Sequence, residues 1–185
     1  MRFGPVRVKN MSEQQKHGLI AKVDTLKHWV DKLLSWICIA IVASMTLLVT
    51  YQVVVRYLFN SPSAVSEVLS RYLFIWLILF GSAYVFGLKE HMAINFVKQK
   101  FAEKTQIVLE MLIELVTVVF AISIMIIGGY NSSVRQMWQM DSALQIPMGV
   151  IYAAIPISGA LMVFYFLYNE MHLSIRLKQL IQTNS

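Results

Sequence analysis

From Leu33 to Val55 the chain carries no charged residue, and this run constrains the fold more than any other feature of the sequence. At 1.5 Å per helical residue it is long enough to cross a hydrocarbon layer of about 30 Å. Three further stretches have the same reach, at 68–88, 107–130 and 146–168. The second is shortest as an apolar run, Tyr72 to Leu88, and borrows Val68 and Leu69 from its amphipathic approach. With 57% hydrophobic and 14% charged residues, the composition lies far from that of a soluble domain. The expected fold is therefore an all-α integral membrane protein. It has four transmembrane helices over 33–168, an N-terminal segment 1–32 and a tail 169–185.

The net charge of +6 would point to nucleic acid in a soluble protein, but its distribution gives another meaning. Lys and Arg crowd the segment before the first span, from Arg2 to Lys32, and the loop between spans two and three, from Lys89 to Lys104. Arg176 and Lys178 follow the last span. The opposite side carries only Arg56, Arg71 and Arg135. The positive-inside rule then places both termini and the middle loop in the cytoplasm. The basic excess is a topology signal, and no nucleic-acid partner is expected.

Two amphipathic segments flank the spans. Leu19, Ile20, Val23, Leu26, Val30, Leu33 and Leu34 recur at helical spacing, with Lys16, Lys22, Lys27 and Lys32 largely elsewhere. This helix either lies in the lipid interface, where Trp29 and Trp36 suit the headgroup level, or runs straight into span one. The later part of Lys89 to Gln106 reads as a second interfacial helix, and membrane lipids are expected partners of both. The charged opening segment lacks the compact apolar core of a cleavable signal, so span one is expected to serve as the insertion signal. The ten residues before Met11 read as dispensable.

Between spans one and two, Asn60-Ser61-Pro62 is a helix-start signal with Ser61 as N-cap and Pro62 at the first helical position. Glu67 and Arg71 then share one helix face at i and i+4, as a surface ion pair or as a pair facing a partner subunit. The order Arg56-Tyr57, Phe59-Asn60, Pro62, Ser66-Glu67, Arg71, Trp76, Gly81 and Glu90-His91 resembles the small membrane subunit of tripartite ATP-independent periplasmic (TRAP) transporters. Val65, Val68 and Asn95 depart from that pattern. The resemblance implies a larger membrane subunit that moves substrate with a sodium gradient and a soluble periplasmic substrate-binding protein that delivers it. It also implies a bacterial inner-membrane location and an organic-acid substrate of the C4-dicarboxylate or sialic acid class.

Within the spans, Gly81, Ala83 and Gly87 are small residues that let another helix approach, and Pro156 is expected to kink span four. Glu110 and Glu114 lie one turn apart in span three. Glu114 sits deeper, where an unpaired charge costs several kcal/mol, so it is expected to be protonated, paired within the bundle, part of an ion relay, or paired with another subunit. Arg56, Tyr57, Glu67, Arg71, Trp76, Gly81, Gly87, His91, Glu110, Glu114 and Pro156 form the set of partner-interface candidates.

Enzymatic classes fit poorly. His17, His28, His91 and His172 lie outside the apolar spans, which argues against haem ligation. The single cysteine, Cys38, excludes a dithiol oxidoreductase. No histidine or lysine within a span could activate a serine. Met137, Met140 and Met148 lack the repeat of a copper site. No cofactor or metal is expected. The sequence reads as an accessory scaffold subunit, with a stand-alone four-helix channel or exporter as the alternative.

Overall fold

The structure is a computed structural model that describes residues 6–60, 63–88 and 103–183, with side chains over 23–60, 63–88 and 105–175. It contains α1 (Val6–Leu58), α2 (Ala64–Leu88), α3 (Glu103–Phe120), a π-helical segment (Ala121–Gly128), α4 (Gly129–Arg135), α5 (Met148–Tyr152) and α6 (Ala154–Thr183). Among the described residues there is no strand beyond one isolated bridge between Met140 and Pro147. Four helical stretches have the length and apolarity to cross a membrane: Val23–Leu58, Ala64–Leu88, Thr105–Arg135 and Met148–Ile175. The all-α, four-span reading holds, and each of the four helices overruns its apolar run by several residues. Helical hydrogen bonding continues past the hydrocarbon edge wherever good helix formers follow.

The N-terminal segment does not break away from span one. α1 is one helix of 53 residues, about 80 Å long at 1.5 Å per residue, so of the two arrangements left open by the sequence the continuous one is found. The expected helix start at Ser61-Pro62 and the interfacial helix of the middle loop over 89–102 lie outside the described residues. The described part of α2 begins at Ala64, where Ser63 acts as the capping residue. The Ser66 N–H reaches its hydroxyl at 3.5 Å, and the Glu67 N–H donates to its carbonyl at 3.3 Å.

The packing order is α1, α2, α6, then the continuous α3–π–α4 helix. α1 touches α6 only lightly, and no substantial contact joins α1 to α3 or α2 to α3 among the described residues. The four spans thus form an open row rather than a closed ring. The first seam buries Leu34, Ile41, Phe80 and Phe86, with Tyr165 contributed by α6. The second seam is built on close backbone approach, since lipid tails supply no hydrophobic drive for helices to associate. A Cβ on Gly159 would lie 2.8 Å from Met125 Cβ, and one on Gly129 would lie 2.8 Å from Ile155 Cγ2.

Two irregularities shape the α6 side. Pro156 has no N–H, so the Tyr152 carbonyl loses its usual donor; α5 ends at Tyr152 and α6 resumes at Ala154. The interruption stands one turn before the proline that was expected to kink the span. It is bridged by the Ala153 N–H to Gly149 O at 3.0 Å and the Ile157 N–H to Ala153 O at 3.3 Å. Opposite it, Ser123 Oγ donates to Val119 O at 2.7 Å, competing with the main-chain ladder inside the π segment. The sequence reading contained no sign of this widening.

Candidate functional site

The two ends of the row carry its polar chemistry. At the end formed by the α1–α2 and α4–α5 connections, Asn60 takes a left-handed φ of 50°, a conformation asparagine tolerates, and turns the chain back. Gln52 Nε2 donates to Ser66 O and to Ser70 Oγ, both at 2.8 Å, pinning the last turns of α1 to the first turns of α2. Arg56 and Tyr57 leave α1 beyond this pin. With Gln52, Val53, Ser63 and Glu67 they line a cleft of ≈ 240 Å³. Arg71 Nη2 donates to Glu67 Oε1 at 3.1 Å on the flank of the cleft. Their side chains are 63% and 70% exposed, so the pair contributes only about 0–1 kcal/mol to this chain.

A second polar knot lies at the same end. The Tyr72 hydroxyl donates to Asp141 Oδ2 at 2.5 Å and sits 3.5 Å from Met148 Sδ. The other oxygen of Asp141 accepts the Ala143 and Leu144 N–H groups at 2.9 and 2.8 Å. The Tyr72 hydroxyl, first, and the Leu144 amide hold the Asp141 carboxyl below its ordinary pKa by stabilising the charged form. Main-chain bonds from Met148 N to Gln139 O and from Gly149 N to Gln136 O complete a tied loop. A Cβ on Gly149 would collide with Ser133 O, so only glycine lets the loop close this tightly. Trp138 stands at its tip, 93% exposed. By residue type Asp141 suits a helix start. Its clamp on Tyr72 was not legible in the sequence, because 69 residues separate the partners.

The other sequence candidates divide by direction. Trp76 turns inward: its Nε1 donates to Ile151 O at 3.1 Å, and its ring meets Phe80 edge-on at 5.7 Å. Gly87 is buried under the Tyr165 ring, with a Cβ placed 2.6 Å from Cδ1, and Pro156 lies against Gly129. Gly81 differs, since a Cβ there would meet nothing within 4 Å. It opens onto an outward groove with Leu77, Ile78, Ser82 and Val85. Glu110 is half-buried and Glu114 is 6% exposed. Glu114 is therefore enclosed by protein rather than facing lipid. The contacts of Gly129 with Ile155 and of Gly159 with Met125 set α3 and α6 antiparallel; the same register brings Glu114 level with Asn169 and Glu170. Asn169 is 1% exposed, and among the described residues its amide atoms have no hydrogen-bond partner. His91 lies outside the described residues.

At the opposite end, the extended part of α1 is tied to α6. Asp31 accepts from the Tyr165 hydroxyl at 2.6 Å and from Lys27 Nζ at 2.7 Å. Asp24 accepts from the Tyr168 hydroxyl at 2.8 Å and lies 3.2 Å from His172 Nε2. The Lys27 ammonium sits 5.8 and 5.4 Å from the Tyr165 and Tyr168 ring centroids. This cluster escaped the sequence reading. A signal was present, however: Asp24, Lys27 and Asp31 repeat at i, i+3, i+7, and so do Tyr165, Tyr168 and His172. These ties hold the stretch of α1 before Leu34 against α6.

No Asp, Glu, His, Lys or Arg occurs between Leu33 and Val55, between Leu73 and Leu88, between Leu115 and Gly129 or between Gly149 and Leu167. The middle of the row thus offers packing surface and no charge. Residues 45–174 match the family described as tripartite ATP-independent periplasmic transporters, DctQ component. A Haemophilus influenzae protein assigned as a TRAP transporter small permease is 31% identical over 137 residues, 74% of this chain and 84% of the relative. The sialic acid TRAP transporter small permease protein SiaQ of Vibrio cholerae is 29% identical over 139 residues, covering 75% and 80%.

Proposed function

The chain belongs to the DctQ component family of tripartite ATP-independent periplasmic transporters, and we propose that it is the static frame against which the large membrane subunit moves. As a small permease subunit it is a multi-pass inner-membrane protein. The observation that carries the reading is the open row with an uncharged middle. A midplane site for an organic acid needs helix N-termini or basic groups at that depth, and a pore needs a closed ring of helices. Among the described residues no Lys, Arg or His lies at that depth, the break before Ala154 is bridged by main-chain hydrogen bonds, and the spans form no closed ring. What the row offers instead is two broad apolar faces with a notch at Gly81, suited to helix packing.

In this proposal the substrate site and the coupling-ion site belong to the large subunit. A periplasmic binding protein delivers the substrate, and a sodium gradient drives transport. The cargo of this proposal is an organic acid of the C4-dicarboxylate or sialic acid class, and the printed name of the Vibrio cholerae relative supports the latter. Both termini and the middle loop face the cytoplasm. No catalytic step is assigned to the chain.

The test is reconstitution in proteoliposomes with an imposed sodium gradient. The chain alone should take up neither N-acetylneuraminate nor succinate, while the chain with its large subunit and loaded binding protein should accumulate one of them. Uptake by the chain alone would overturn the frame and favour the stand-alone channel. Substrate choice that follows this subunit when it is exchanged with a relative would overturn the frame as well.

A further inference from the structure

The cleft between the last turn of α1 and the first turn of α2 has a polarity gradient along the helix axis. Its lower wall is Val53, an exposed apolar residue continuous with the membrane-crossing part of α1, and Gln52 lies at its base. Its rim, one helical turn beyond Val53, carries Arg56, and Tyr57, Ser63 and Glu67 complete the lining. Glu67 pairs with Arg71, whereas among the described residues no carboxylate lies within ion-pair distance of Arg56. An exposed guanidinium therefore stands within helical reach of apolar wall, one turn from it, beside an acid that retains an open oxygen.

We infer that this cleft seats the headgroup of a phosphoethanolamine lipid. The Arg56 guanidinium has the fork geometry for a phosphate, and the start of α2 adds the positive end of its helix dipole. The Glu67 carboxylate, held in place by Arg71, takes the ammonium of the same headgroup. Val53 and Tyr57 lie against the glycerol and the first methylenes. A soluble partner approaching from water would meet the charged rim but would leave Val53 in lipid, so the vertical order of apolar wall and charged rim favours a lipid over a docked protein. The Gln52 pin keeps the two helix ends at fixed separation, so the cleft is preformed.

Native mass spectrometry of the full chain, delipidated in detergent and titrated with chain-matched phosphoethanolamine, phosphocholine and phosphoglycerol lipids, tests the assignment. One phosphoethanolamine lipid should be retained above the others. Arg56→Gln should lower its retention roughly tenfold, the weight of one charge-assisted contact, and Arg56→Lys should restore part of it. Glu67→Gln should remove the preference over phosphoglycerol while leaving phosphoglycerol binding intact. Circular dichroism of each variant separates loss of the site from loss of the fold, and Ser142→Ala, outside the cleft, should bind as the parent does. Equal retention of all lipids by the parent and the Arg56 variants would mean annular contact only and would overturn the inference. Displacement of the bound lipid by inorganic phosphate would refute the lipid assignment, as would weakened capture of the periplasmic binding protein by Arg56→Gln with lipid retention unchanged.

Discussion

Single side chains decide how the connections at one end of the row are held. Tyr72→Phe removes the hydroxyl that ties α2 to the α4–α5 loop and is expected to lower the melting temperature in detergent by roughly 2–5 °C. Hydrogen exchange should rise at Leu144 and Met148 in the same variant. The pH dependence has a definite sign. Because the folded state holds the Asp141 carboxyl below its ordinary value, its contribution is fully present above the unfolded pKa of about 3.9 and is lost as pH falls through the folded value. The difference in melting temperature between the parent and Asp141→Asn should therefore be constant from neutral pH to about 5 and shrink below about 4. A difference that persists unchanged at pH 3 would show that the charge of Asp141 contributes nothing to the tie.

Among the elements, α2 separates internal packing from surface open to a partner. Gly87 and Gly81 lie on the same helix, yet one is closed by Tyr165 and the other meets no atom within 4 Å. Gly87→Leu should destabilise the isolated chain by roughly 1–3 kcal/mol through overpacking. Gly81→Leu should leave its melting unchanged and reduce co-purification with the large subunit. If Gly81→Leu assembles normally, the groove faces lipid and the proposed packing face lies elsewhere. The rod α1 gives a second test at this scale. Asp24→Ala with Asp31→Ala removes the ties to Tyr168 and Tyr165 and should expose the segment before Leu34 to proteolysis, with span one still protected. An unchanged cleavage pattern would mean that α1 is held straight by helix propensity alone.

For the whole molecule, orientation and assembly follow from charge and packing order. In a Cys38→Ser background, cysteines at Ser63 and Ser142 should react with a membrane-impermeant thiol reagent in intact spheroplasts, while His28→Cys should react only after lysis. Labelling in the reverse order would invert the assigned topology. The open row also predicts cross-linking behaviour. Cysteine pairs placed across the α1–α2 and α2–α6 seams should form intramolecular cross-links, whereas pairs between α1 and α3 should not. Efficient α1–α3 cross-linking would indicate a closed ring and would revive the channel reading.

The number of spans, the helical class and the side-to-side charge bias were fixed by the chain itself, because hydrocarbon thickness and the cost of charge within it act on local runs of sequence. Glu67 and Arg71 could be paired because they stand one helix repeat apart, whereas the cleft that joins Arg56 to Glu67 depends on how the chain turns back at Asn60. The order of the helices in the row, the clamp from Tyr72 to Asp141 and the ties from Asp24 and Asp31 to α6 join residues far apart along the chain, and only the tertiary structure decided them. The same holds for the contrast between Gly81 and Gly87. Both are small residues on one apolar helix, and in lipid a small residue packs only where another backbone comes close enough to use the space. Sequence determined which elements exist and roughly where they end; three-dimensional packing determined which of their faces remain available to a partner.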